Sequence, residues 1–216
     1  TRQTFEDNQN TNKQFKEWEV TPWSAPVHGR ELLNQTLAIL QRYVIADIES
    51  LHAAVAWAAL SWLVDHATVL PMAMITAPEK GCGKSVLLDV LGALVLRPLQ
   101  GGSITQSALF RSIELWKPTL LIDEADSFMK ENEAMRGLLN SGHTRGSAFR
   151  ILSEEVGGKL QPVRFSTWGA KAIAGIKLET LDATLTSRSI ILPMRRKLPS
   201  ELSENFRHGD KEPFKV

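Results

Sequence analysis

Cysteine is nearly absent from this sequence, Cys82 being the only one. One thiol excludes an internal disulfide framework, and with no signal-like start it points to a reducing, cytoplasmic setting. Net charge is nearly absent too: 25 basic against 24 acidic residues leave a formal charge of +1. That excludes the overall basic balance of a general nucleic-acid binder, so any polyanion site has to be local. Long apolar runs are also missing. The longest, residues 53–64 between His52 and Asp65, is about a dozen residues, short of the roughly 18 a membrane-spanning helix needs. It reads as a buried helix, and no membrane partner is expected. What is there, 216 residues in all, suffices for one sizeable α/β domain. The start at Thr1 and the polar end suggest a piece of a longer protein.

Residues 1–21 hold mostly Asn, Gln, Thr and charge and read as a polar tail. Residues 22–68 read as an N-terminal helical segment packed on the core. Its Pro- and Gly-punctuated linker PWSAPVHG leads to Leu33, Leu37, Leu40 and Val44 at helical spacing, and then to Ile48, Leu51, Val55 and Trp62 at the same spacing. A core follows over 69–199, and 200–216 reads as a second polar tail. Within the core, MAMIT (72–76) is an apolar strand, APEKGCG a loop, and SVLLDVLGALVL (85–96) a helix. A further helix from Gln106 to Glu114 precedes TLLID (119–123), whose unbroken apolar character suits a parallel strand covered on both faces. The expected fold is three-layer α/β with a parallel sheet.

The stretch PEKGCGKS (78–85) has the chemistry of a phosphate-binding loop: glycines for close backbone approach, a lysine for the β and γ charges, and a hydroxyl for Mg²⁺ at a helix start. It departs from G-x-x-x-x-G-K-[ST] at its first position, where Pro78 stands for glycine. Pro78, Glu79, Lys80, Gly81, Cys82, Gly83, Lys84, Ser85 and Val86 are therefore the candidate ATP-binding residues. The strand TLLIDEAD ends in paired carboxylates 39 residues after Lys84. Asp123, with Ser85, would hold Mg²⁺, and Glu124 would polarise the attacking water. Asp126 reads as a helix N-cap. Cys82 has no partner constellation and reads as a packing residue.

From PWSAPVHG through MRRKLP the chain resembles a family of uncharacterised P-loop ATPases, a domain of unknown function in primase- and helicase-like proteins of phages, plasmids and other mobile elements. TAPEKGCGKS, TLLIDEADSF, RGLLNSGHTRG, FSTWGAKAIAGI and TLTSRSIILPMRR carry the resemblance. Their order is also similar to a ring-forming AAA+ module. That likeness implies a ring, with a hexamer favoured, in which Arg188 reaches the neighbour's γ-phosphate; Arg136 is a second candidate. The strand KAIAGIK (171–177) falls where typical relatives carry a sensor Asn or Thr; here Lys177 is nearest. His143 has two readings, one facing a nucleotide or the channel and the other, the commoner, a helix-end histidine favoured by the dipole. The helical lid that closes such sites is expected to be missing.

SAFRIL, SEEVGGK and LQPVRFSTW suggest a hairpin over about 147–168 turning at Gly157 and Gly158. In related minichromosome-maintenance and superfamily-three helicases a hairpin here grips DNA, which would give Arg150, Lys159 and Arg164 phosphate contacts. The expectation is an ATP-hydrolysing DNA motor, of the helicase or translocase kind, serving a mobile element in a bacterial or phage-infected cell. The alternative is a nucleotide-switched regulatory or protein-remodelling ATPase. A nucleotide kinase is disfavoured by the DEAD stretch and by the lack of an arginine-rich lid.

Overall fold

A computed structural model describes residues 20–100, 106–131, 133–180 and 182–207. The expected tails fall at 1–19 and 208–216 outside the described residues.

Two helices open the chain, α1 (Gly29–Tyr43) and α2 (Ile48–Ser61). They bury unequal faces: Leu40 is fully buried, while Leu32 and Leu33 on the outer side of α1 are exposed. Tryptophan indoles tie this segment to the core, Trp57 Nε1 donating to Pro71 O at 3.0 Å and Trp62 Nε1 to Leu94 O at 2.9 Å. Strand β1 (Met72–Ala77) follows, buried along its whole length, then helix α3 (Lys84–Leu94) and the short strand β2 (Pro98–Gln100). Helix α4 (Gln106–Trp116) leads to β3 (Thr119–Ile122), and α5 (Ala125–Glu131) and α6 (Glu133–Ser141) lead to the hairpin strands β4 (Phe149–Val156) and β5 (Lys159–Ser166). The chain re-enters the sheet as β6 (Lys171–Ile176) and, after the short helix α7 (Ala183–Thr186), ends it as β7 (Ser189–Pro193).

The main sheet has five parallel strands in the order β2-β3-β6-β1-β7. Parallel strands need crossovers, and the crossovers cover both faces. Alternation along each strand sorts the core into two layers. Ala73, Ile75, Leu121, Ala172 and Ala174 face α2 and α3, whereas Met74, Leu120, Ile122 and Ile173 face α4, α5 and α6. The alanines let α3 settle closely, and Leu87, Leu88 and Leu91 are buried there, each contributing about 1.5–3 kcal/mol relative to exposure. Strand β2 has no counterpart among the elements expected from the sequence. It is three residues long, begins with Pro98, and follows Arg97 at φ 48°, so no alternating or apolar run announces it.

Candidate functional site

The glycine loop occupies the carboxyl edge of the sheet, between β1 and α3. Gly81 and Gly83 both have φ 76°, and Gly83 is the residue immediately before α3. This left-handed backbone is open to glycine at no steric cost, and it turns the start of α3 back toward the strand end. No side chain caps that start and no acidic residue stands in its first turn, so the first-turn N–H groups and the positive end of the helix dipole face the loop's concavity. Lys84 Nζ donates to Glu79 O at 3.0 Å. Cys82 is buried, its thiol 3.9 Å from Lys80 O, as a packing residue should be. Pro78, Glu79, Lys80 and Ser85 are exposed, and Val86 is half-buried.

The acidic pair lies on the same edge. Ile122 pairs with Ile173 across β3 and β6, and Met74 pairs with Ile173 across β1 and β6. One step further, Asp123 stands level with Ala174 and Ile75; the strand between sets it about 10 Å from β1. Both carboxylates are exposed. Glu124 has φ 52°, a left-handed backbone that is uncommon for any residue with a Cβ. Its N–H donates to Asp123 Oδ1 at 2.8 Å, and Ala125 behind it is fully buried. The turn is thus held from both sides. Asp126 is not the N-cap expected from the sequence. It lies inside the first turn of α5, and its Oδ1 accepts from Ile176 N at 3.1 Å, fastening the acidic turn to the end of β6. Gly175 makes room for this, since a Cβ there would come within 2.6 Å of Asp126 Oδ1. Lys177, next in line, is exposed and donates its N–H to Ala77 O at 3.0 Å.

A cavity of about 260 Å³ adjoins the glycine loop, close to the lower end of small-molecule sites, roughly 300 Å³. Its lining comes from three stretches of chain: Tyr43 to Ile45, 81–83 with Val86, and residues of the 195–206 segment. The sequence reading did not find it. The segment after β7 was expected to run off as a polar tail from 200, yet it folds over the loop. Met194 N donates to Thr76 O at 2.7 Å, and Glu204 N donates to Arg42 O at 2.9 Å. Phe206 meets Tyr43 edge-on at 5.0 Å between centroids. Arg195 is clamped by Glu201 through hydrogen bonds of 2.8 and 2.6 Å, and these hold the Glu201 carboxyl down to about 2. Arg196 instead points to the loop, its Nε 3.1 Å from Glu79 Oε1. No helix follows β7 among the described residues.

Arg188 lies at the opposite, amino edge of the sheet. Its carbonyl accepts from Met72 N at 3.1 Å, and its guanidinium donates to Asn140 O at 2.6 Å. The length of β1, about 16 Å, separates it from its own chain's glycine loop. A small cavity of about 10 Å³ beside it is lined by His143 and Lys171 among others. Burial, and then Arg188, lower the His143 pKa. That is opposite to the helix-dipole stabilisation of a charged imidazole expected from the sequence. Lys171 is fully buried, donates to Thr167 O at 2.7 Å and Gly169 O at 2.9 Å, and is pushed by desolvation to about 7.

The hairpin residues do not form one basic patch. The Arg150 guanidinium packs on α6, where a Cβ at Gly137 would come within 1.8 Å of it. Arg164 stacks 3.9 Å over the Phe149 ring, and Lys159 is exposed at the tip. On the side of the hairpin facing away from α4, Ile151 is 63% and Leu160 77% exposed. Arg136 is exposed on α6.

Among the described residues no group of three or more His, Cys, Asp or Glu could hold a metal ion, so any Mg²⁺ here would draw on Ser85, Asp123, water and the ligand's own oxygens. Among the described residues, too, no helix is long and apolar enough to cross a membrane. Compared with protein-family models the chain matches none, and compared with curated proteins it again finds no match.

Proposed function

We propose that this chain binds a nucleoside triphosphate, ATP on the resemblance of its motifs, and hydrolyses it. One observation carries the reading. An uncapped helix start behind two left-handed glycines, with a lysine ammonium folded onto the loop, shares a sheet edge with a strained acidic turn. Backbone amides at the start of α3 would take the phosphate oxygens, and Lys84 would leave Glu79 O for the terminal phosphate. Mg²⁺ bound between Ser85 and Asp123 would neutralise charge on the β- and γ-oxygens. Glu124, held by its backbone turn, would orient the attacking water. The adjoining cavity, with Tyr43 and Phe206 along it, suits a base and ribose.

Arg188 can serve this chemistry only on a neighbouring copy, given its place at the far edge. That is the arrangement a ring supplies. Two readings of the partner remain distinct. A DNA motor fits Lys159 at the hairpin tip, whereas the exposed Ile151 and Leu160 favour remodelling of a protein. Turnover assays on the parent, Lys84→Ala and Glu124→Gln test the whole. Lys84→Ala should lose ATP binding, and Glu124→Gln should keep it while slowing hydrolysis by roughly a hundredfold or more. Equal turnover in all three would discard the reading. Stimulation by single- or double-stranded DNA selects the motor, and indifference to both selects the protein partner.

A further inference from the structure

The three residues after Met194 are basic, and the fold uses them differently. Arg195 is fixed by Glu201 and by Asp47, the latter at 3.5 Å. Lys197 Nζ lies 3.4 Å from Ser203 Oγ within the C-terminal segment. Arg196 alone crosses to the glycine loop, where its guanidinium Nη2 would lie 3.9 Å from a Cβ on Gly81. Its partner there is Glu79, the residue whose carbonyl also holds Lys84 Nζ. Lys84 and Arg196 therefore rest on one residue, the first on its main chain and the second on its side chain.

We propose that Arg196 is a phosphate ligand of the nucleotide site, exchanging the Glu79 carboxylate for a phosphate oxygen when the nucleotide enters. This inference rests on the nucleotide reading above. Three observations support the exchange. The pair is open to solvent, with side-chain exposures of 66% and 55%, and such exposed pairs are weak. A phosphate offers more charge than a carboxylate and the same planar match to the guanidinium fork. The Arg196 backbone is anchored, because Met194 N is bonded to Thr76 O and Arg195 is clamped, so only the side chain has to move. Glu79 then acts as a competitor for the phosphates.

The competitor role separates the proposal from a bracing role for the pair. Affinity for ATP, ADP and inorganic pyrophosphate, each with Mg²⁺, is measured calorimetrically for the parent and four variants. Arg196→Ala should weaken binding of the phosphate-bearing ligands roughly ten- to a hundredfold, and Arg196→Lys should recover part of the loss. Glu79→Gln should bind these ligands more tightly than the parent, because the competing carboxylate is gone. If Glu79→Gln weakens binding as Arg196→Ala does, the pair merely braces the loop and the proposal is overturned; unchanged affinity in Arg196→Ala overturns it as well. Lys84→Ala distinguishes the two levels. Should it bind ATP like the parent, the nucleotide reading itself fails, whereas its loss of binding beside an unaffected Arg196→Ala removes only the role of Arg196.

Discussion

Replacing Glu124 by glycine should make the protein more stable and less active at once. Its φ of 52° places a residue with a Cβ in the left-handed region, at a cost of about 1–2 kcal/mol. Glycine relieves that strain but returns roughly 0.5–1 kcal/mol through its freer unfolded chain. The net gain is about 0.5–1 kcal/mol, which for a domain of this size raises Tm by about 1–4 °C. The side chain is exposed, so little packing is lost. Glu124→Ala keeps the strained backbone and should gain nothing. Lys117→Gly, at φ 47° and also exposed, should gain a similar amount and serves as the control away from the acidic pair. Urea denaturation and ATP turnover are read on the same preparations. Glu124→Gly should fall in turnover with Glu124→Gln, by roughly a hundredfold or more. A glycine variant that is less stable than the parent would refute the strain argument, and one that turns over ATP normally would refute the reason for keeping glutamate there.

Two further outcomes follow from groups at the amino edge. Arg188→Ala should bind ATP as the parent does but lose turnover roughly a thousandfold at protein concentrations where the parent is most active; a parent rate per chain that does not change with protein concentration would contradict a site completed by a neighbour. Lys171, pushed by burial to about 7 against 10.5 for an ordinary lysine, binds its proton more weakly in the folded state. Stability should therefore rise with pH between those values, by up to about 2–3 kcal/mol from pH 6.5 to 9. The two carbonyl hydrogen bonds favour the ammonium and reduce the rise. Denaturation midpoints should show this slope in the parent and lose it in Lys171→Met, and a flat parent profile would contradict it.

Much of the layout was legible because it rests on local patterns. The apolar runs of β1 and β3 marked strands, the second of them covered on both faces, and Gly157 and Gly158, with φ 61° and 78°, marked the hairpin turn. Glycines 81 and 83 announced a loop needing positive φ. What could not be read depends on contacts between distant parts of the chain. Asp126 looked like a cap from its neighbours alone, but its carboxylate is spent on Ile176, fifty residues on. Arg150 looked free to meet phosphate until α6 supplied Gly137 as its bed. The polar stretch from Arg195 to Phe206 has no periodicity, and it is held by ion pairs and one aromatic contact to α1, so nothing in its composition announced a wall beside the loop.

The glycine loop, the acidic turn and the adjoining cavity should respond to nucleotide as one site. Backbone amide resonances followed during titration with Mg²⁺ and ATP report on all three together. Residues 81–86, Asp123, Glu124 and residues 43–45 should shift with a single shared dissociation constant, and Lys84→Ala should remove the response at every one of them. Shifts confined to scattered lysines, or a loop unmoved at saturating ATP, would contradict it.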